Sequence, residues 1–346
     1  MAEREARRAE YINKLDALEG EVSSLNGEIE DAEEMIDDLD AKLDGLPNRI
    51  QRIRRMNYKV LTYLEKDQAS LVDRWTNRGP SLKENVRGRI AELRSTFNEL
   101  ERALSRRRRD PIQEVPRLRR IESRVEDCKS RVSELNAYVS DTLSEYENRL
   151  QNIEQDLNIA EATVDLMSQA SFPWKEGESP ILAVKAKDVN NDVEGILTLT
   201  NQRFIFESEK EIVLKKTLFI ATEKKKVREV VIDQPIGMID SLTKGRIGFF
   251  AGQGLFITFK PQSRLKEMKF DTKGYEADWM LRFYNFIVSG EAEKELAALQ
   301  GDEGIEKGVS RPLVCEICGA PYTDEVYRGQ TSVQCKYCGS VIPVTQ

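Results

Sequence analysis

From Tyr11 to Leu46 the apolar side chains fall at alternating steps of three and four, and this periodicity dictates how the first part of the chain can fold. Leu15, Val22, Ile29, Ile36 and Leu43 take one heptad position, and Tyr11, Leu18, Leu25, Ala32, Leu39 and Leu46 take the other. Five unbroken heptads predict a long helix whose narrow apolar seam is covered by other helices in a coiled coil. Gly45-Leu46-Pro47 then predicts a stop followed by a fresh start. The same phase runs on through Ile50, Ile53, Val60 and Leu64, which leaves a kink as the alternative. Gly79-Pro80 predicts an end near Arg78, and Ser81-Leu82-Lys83-Glu84 reads as a capping box opening a third helix. That helix carries Val86, Ile90, Leu93, Phe97, Leu100 and Leu104 on its stripe. Beyond Arg106-Arg107-Arg108-Arg109-Asp110-Pro111 and Pro116 comes the longest run, from Leu118 through Ile121, Val125, Cys128, Val132, Leu135, Val139, Thr142 and Tyr146 to Val164. It predicts a helix over 116–169, roughly 80 Å long at 1.5 Å per residue.

Charge indicates how these helices pair. Residues 1–46 carry 5 basic and 15 acidic side chains, net −10. Residues 47–120 carry 20 and 9, net +11, and residues 121–170 carry 4 and 11, net −7. Acidic, basic and acidic blocks attract one another if the chain folds back at Pro47 and again near Pro111, giving antiparallel hairpins. The last helix then outruns the shorter ones, and its uncovered stripe predicts a homodimer or higher oligomer. The basic middle block offers phosphates a contact, but its acidic neighbours supply partners within the chain and no aromatics are interleaved. Cys128 sits on the core stripe and reads as a small apolar residue.

Near Ser171-Phe172-Pro173-Trp174 the helical period ends. Short β-rich runs follow at 181–186, 195–208, 211–220, 226–232, 236–240, 245–250, 255–259 and 268–272, and then an amphipathic helix over 275–290 with Trp279, Phe283 and Phe286 on one side. This order predicts a bent sheet or partial barrel plugged by one helix. The stretch Gly195-Ile196-Leu197-Thr198-Leu199-Thr200-Asn201-Gln202-Arg203-Phe204-Ile205-Phe206 resembles the strand pair of GRAM and bacterial pleckstrin-homology-like domains, over about residues 178–290. The resemblance implies a module that binds lipid head groups or protein segments. Lys215, Lys216, Lys224, Lys225, Lys226 and Arg228 are the lipid-facing candidates, and the alternative is a solvated hairpin whose lysines guard an edge strand. The glycine-rich GRIGFFAGQG (245–254) leads into a strand rather than a helix and lacks a Walker lysine, so it reads as a hairpin turn and not a phosphate loop. Phe249 and Phe250 offer themselves there for insertion into a membrane or a partner groove.

After a polar linker, 291–311, the chain reaches CEICGAPYTDEVYRGQTSVQCKYCGS (315–340). Cys315 and Cys318 are two residues apart, as are Cys335 and Cys338, with sixteen residues between the pairs. This spacing predicts two knuckles that bring four thiolates to one tetrahedral zinc ion, and residues 312–346 resemble small zinc-ribbon modules, with a redox dithiol pair and an iron site of rubredoxin type as the alternatives. Gly319 and Gly339 stand where each knuckle needs φ > 0. Val314, Ile317, Val333, Val341 and Ile342 are expected to cover the metal. Four thiolates leave no position for water, so the ion is expected to be structural. Tyr322, Tyr327, Arg328, Lys336 and Tyr337 are candidates for contact with a partner.

The chain contains no histidine, which removes Ser-His-Asp and Cys-His catalysis and HExxH metal sites. Its first residues are charged rather than apolar, unlike a signal peptide, and no apolar run is long enough to span a bilayer. The expected architecture is multidomain: a long-helix region over 1–170, a β-rich domain with a C-terminal helix over 178–290, the linker, and a zinc ribbon over 312–346. The expected function is a non-enzymatic dimeric adaptor in the cytoplasm, peripheral at a membrane, that docks a protein through its ribbon. The alternative is a nucleic-acid-associated adaptor using the basic helices and the ribbon.

Overall fold

The computed structural model describes residues 2–109, 118–217, 220–247, 252–299, 314–322, 326–330 and 332–344. The side chains of residues 2, 109, 211–226 and 299 are not among those described. Three helices come first: α1 (Ala2–Arg55), α2 (Tyr63–Arg109) and α3 (Arg119–Met167). A seven-stranded antiparallel sheet follows, then α4 (Gly274–Val288), α5 (Glu291–Leu299) and a cysteine-bearing hairpin. The chain divides into two compact units, one of residues 1–48 with 64–154, the other of residues 49–63 with 155–346.

Two predicted breaks do not occur. α1 runs through Pro47, and α2 runs through Gly79-Pro80 with no restart at Ser81. A proline inside a helix costs about 3 kcal/mol. Leu46, Ile50 and Ile53 continue the seam in full burial, and each contributes about 1.5–3 kcal/mol. At the second position the stripe Leu71, Trp75, Leu82, Val86 likewise stays buried. Gly79 is needed there because a Cβ would come 2.8 Å from the Trp75 ring. The Trp75 indole donates to Asp40 at 2.5 Å and meets Tyr146 edge-on at 5.1 Å. The Ser81 hydroxyl donates to the Arg78 carbonyl instead of capping a helix.

In the first unit the charge blocks meet as their signs require. Glu33 pairs with Arg94 at 2.9 Å, Glu19 with Arg108 at 2.8 Å, and Asp40 with Lys83. As the α1 number falls its α2 partner rises, so the two helices are antiparallel. Arg74–Glu145, Arg131–Glu92 and Arg124–Glu99 set α2 antiparallel to α3 in the same way. Each exposed pair is worth about 0.2–1 kcal/mol, so the pairs select register more than they stabilise. The three helices have 54, 47 and 49 residues, so the last exceeds α2 by only two residues and is shorter than α1. Its stripe is buried from Ile121 to Ile153, with Leu143 in the place expected for Thr142. The stripe from which the homodimer was expected is thus covered within the chain itself. Sedimentation equilibrium at micromolar concentration is expected to return a mass near 39.6 kDa. Twice that mass would show the dimer.

In the second unit the chain reverses after Arg55, not at Pro47. Asn57 and Leu61 take φ of 64° and 58°, and the Arg54 guanidinium donates to the carbonyls of Tyr58, Val60 and Leu61 at 2.8–3.0 Å. The strands are β1 (Pro180–Asp188), β2 (Val193–Thr200), β3 (Arg203–Thr217), β4 (Ile220–Pro235), β5 (Ile239–Arg246), β6 (Gln253–Phe259) and β7 (Glu267–Asp271). They pair in the order β4-β3-β2-β1-β7-β6-β5. β1 joins β7 only at Lys187↔Asp271 and Asp188↔Phe270. Phe204, Phe206, Phe259 and Phe270 pack ring against ring inside, and α4 buries Ala277, Met280, Phe283 and Ile287. The opposite side of β1–β3 is covered by Met167 and Phe172, packed on Ala183, Ile196 and Ile205. The predicted 236–240 strand is a 3-10 turn, Ile236–Met238, leading into β5.

Within the linker expected at 291–311, Glu291–Leu299 is helical, and the remainder lies outside the described residues, as do Phe249 and Phe250. No helix among the described residues is long and apolar enough to cross a membrane.

Candidate metal centre

The two knuckles are near-copies of one backbone motif. The Cys315 N–H donates to the Ala320 carbonyl at 2.8 Å, and the Gly319 N–H donates back to the Cys315 carbonyl at 2.8 Å. Cys335 and Ser340, and Gly339 and Cys335, repeat both bonds at 2.9 Å. Each turn closes on a glycine with positive φ, Gly319 at 71° and Gly339 at 73°, a region that a side chain would strain. β8 (Ser332–Gln334) and β9 (Val341–Pro343) pair across the second knuckle, Val333 opposite Ile342.

This framework brings the Sγ atoms of Cys315, Cys318, Cys335 and Cys338 within 4.8 Å of one another. Cys315 and Cys338 stand 3.8 Å apart, and Cys318 and Cys335 stand 3.7 Å apart, with all four thiols free of disulfides. A tetrahedron of sulfurs about 2.3 Å from a central ion has edges of about 3.8 Å. The donor set therefore fits a single metal ion.

The electrostatics agree with this. The Ser340 hydroxyl lies 3.3 Å from Cys315 Sγ and 2.9 Å from Cys338 Sγ. Its hydrogen bond lowers the Cys315 thiol to about 6 and lowers Cys338 as well. The Ala320 N–H acts to lower Cys318, yet the neighbouring sulfurs and burial push it up to about 12. Four sulfurs this close cannot all ionise without a cation among them, which is the role a metal would fill.

Val333 and Ile342 cover the centre as expected, joined by Val344, which sequence reasoning had not included. Val314, Ile317 and Val341 do not cover it. All three are exposed, and Ile317 reaches 77 % because the knuckle turns present the residue before each second cysteine outward. Tyr337 stands at the equivalent place in the second knuckle, 74 % exposed. Tyr327 is buried and Arg328 is engaged within the chain. Ser340 gave no signal in the sequence, since a serine after CxxCG has many uses.

The lipid-facing candidates divide. β3 and β4 form a ladder from Arg203↔Pro235 to Thr217↔Ile220, but β2 pairs with β3 only as far as Ser208. Beyond it the two strands run as an arm on which Lys215, Lys216, Lys224, Lys225 and Lys226 lie; their side chains are outside those described. Arg228 sits at the root of the arm, its side chain only 7 % exposed. It pairs with Glu209 at 3.1 Å and donates to the Leu166 carbonyl at 2.6 Å.

No protein-family model matches the chain, and no curated protein matches it. Among solved structures it is similar to one described as Vav1 inhibited by an allosteric inhibitor, where Vav1 inhibitors block GEF activity. That likeness has 10% identity and covers 97% of this chain and 69% of the other. Its TM-score of 0.26 is too low to carry an argument about either fold or function.

Proposed function

We propose that the chain is a non-enzymatic adaptor: a helical unit, a pleckstrin-homology-like domain that meets an anionic membrane through the β3–β4 arm, and a structural zinc ribbon that docks a protein. The observation that carries this reading is the arm itself. Residues 209–228 hold seven basic and three acidic side chains on two strands that extend past their neighbours. The β3–β4 ladder continues past Ser208, the last residue of β3 that β2 pairs with, and in this reading the basic excess of that stretch serves a surface contact. Each lysine held near an anionic leaflet contributes about 1 kcal/mol. The five lysines make that contact in this reading, and Arg228 braces the arm's root. The strand order and the packing of α4 support the pleckstrin-homology-like assignment of residues 178–290. The exposed Ile317 and Tyr337 support the ribbon as a protein-docking surface. The arginines that the nucleic-acid alternative would use, Arg74, Arg94, Arg108, Arg124 and Arg131, already have carboxylate partners.

Co-sedimentation of the full chain with vesicles tests the reading. Vesicles containing phosphatidylserine are expected to pellet the protein at low salt, with binding falling as salt rises, while neutral vesicles leave it in solution. Replacing all five lysines by glutamate is expected to abolish the pelleting. Absence of binding to anionic vesicles at low salt would overturn the membrane role.

A further inference from the structure

The segment between the two knuckles is not a free loop. Residues 327–330 lie against the sheet domain, backbone on backbone. The Gly237 N–H donates to the Arg328 carbonyl at 3.1 Å, and Lys175 Nζ donates to the Gly329 carbonyl at 3.4 Å. Gly329 has φ of 81°, and a Cβ there would stand 1.7 Å from the Gln202 carbonyl oxygen. A Cβ on Gly237 would stand 2.6 Å from the Arg328 nitrogen. A glycine on each side permits this approach, Gly329 against the Gln202 backbone and Gly237 against the Arg328 backbone. The buried Tyr327 ring lies under Lys260 Nζ, 4.4 Å from its centroid. The Arg328 guanidinium donates to the Ile287 carbonyl in the last turn of α4 and pairs with Glu293 of α5. A cation there complements the negative end of the helix dipole. Burial lowers the Arg328 guanidinium below its ordinary value.

We propose that the metal in the four-cysteine centre controls this docking, so that the β2–β3 turn, the Ile236–Met238 turn and the end of α4 are braced only while the ion is bound. The physical reason is loop closure. The ion ties Cys318 to Cys335 and so closes the intervening sixteen residues into a loop of fixed ends. Without it, the segment pays its ordering entropy at the moment of docking, and the docked state loses its preorganisation. Metal loss then frees a face made of Gln202, Gly237, Lys260 and Lys175. The cysteines thus do more than fold a small module: they hold a clasp on the neighbouring domain. This rests on the centre holding a metal, and metal content measured on the same samples separates the two claims.

Hydrogen exchange by mass spectrometry on the full chain, as purified and after chelation, tests the proposal. Chelation is expected to speed exchange about tenfold in the peptides covering 201–202 and 236–238 as well as in 314–344, with 64–109 and 181–199 unchanged. Gly329→Ala keeps all four cysteines. It is expected to retain one metal per chain yet show the fast 236–238 exchange of the chelated protein. Exchange at 236–238 that ignores chelation would overturn the proposal. So would a metal-free protein with that peptide protected, or a loss of protection across the whole sheet, which would make the metal a general folding requirement.

Discussion

Arg203→Met will cost the sheet domain about 3–5 kcal/mol, the loss that follows when one partner of a buried ion pair is removed. Arg203 is 2 % exposed, yet each nitrogen of its guanidinium donates to an acceptor. Nε and Nη2 grip Glu178 at 2.8 and 2.6 Å, Nη1 reaches Asp233 at 2.6 Å, and Nη2 also donates to the Pro173 carbonyl at 2.8 Å. The plane lies over Phe172, 5.2 Å from its centroid. Glu178 has a fully buried side chain and also accepts from the Lys175 N–H and the Thr200 hydroxyl. The methionine fills the space of the arginine stem but leaves that carboxylate without its charge partner.

Against a total of about 5–15 kcal/mol for a domain, the loss is severe. Arg203→Met with Glu178→Met is expected to be much milder than the single change, because no unpaired charge stays buried. Urea unfolding followed by the fluorescence of Trp174, whose ring lies 5.1 Å from Phe172, reads the effect locally. A single variant within about 1 kcal/mol of the parent would show that the pair is not coupled to folding.

The same pair sets an acid limit. Burial alone would raise the Glu178 carboxyl, but Arg203, the Lys175 N–H and the Thr200 hydroxyl together hold it below its ordinary value. A group whose folded pKa is depressed stabilises the fold above its unfolded pKa, about 4.3 for glutamate, and loses that contribution as pH falls through the folded value. The parent's urea midpoint should therefore drop on acidification below about pH 4.3, while the double variant loses this component.

What the sequence made legible, and what it hid, follow from the range of the forces involved. The heptad seam and the cysteine spacing are periodic and local, so Leu15 to Leu46 and the four ligands could be read directly. The alternating Leu197, Leu199, Phe204 and Phe206 gave a strand pair for the same reason. Pro47 and Gly79-Pro80 misled because a local breaker was outweighed by burial supplied by other helices. The Trp75 ring that needs Gly79 is four residues away, but its donor target Asp40 lies on a different helix. Arg203 was visible only as part of a family-like motif, since its acids are separated from it by 25 and 30 residues. Gly237 and Gly329 were unreadable for a further reason: each glycine is explained only by the backbone opposite it. The argument for a dimer rested on helix length, and the stripe it expected to be exposed is covered within the chain.

Purified chain is expected to carry one zinc ion, and Cys335→Ser is expected to abolish binding and unfold residues 314–344. The ribbon has little else to fold around. Its buried cluster beyond the cysteines is Val333, Ile342 and Val344, each worth about 1.5–3 kcal/mol. Backbone ordering costs about 1–2 kcal/mol for every residue fixed. Structural zinc supplies about 10–16 kcal/mol to such modules at neutral pH, enough to reverse the balance. Protons compete for the thiolates, so acid is expected to release the metal even with every ligand intact. Ser340→Ala removes the hydroxyl shared by two sulfurs but no ligand, and is expected to weaken binding 10–100-fold, the usual effect of losing a group that orients a ligand. Cys128→Ser is expected to leave metal content unchanged, because Cys128 is buried on the α3 stripe. Zinc content by elemental analysis, with backbone amide spectra of 314–344, separates these cases. An iron content with thiolate-to-iron colour would keep the four ligands and overturn zinc, since a tetrahedral sulfur set accepts either ion. Retention of metal by Cys335→Ser would instead overturn the four-cysteine centre, because three thiolates and a hydroxyl should not hold the ion in competition with a chelator.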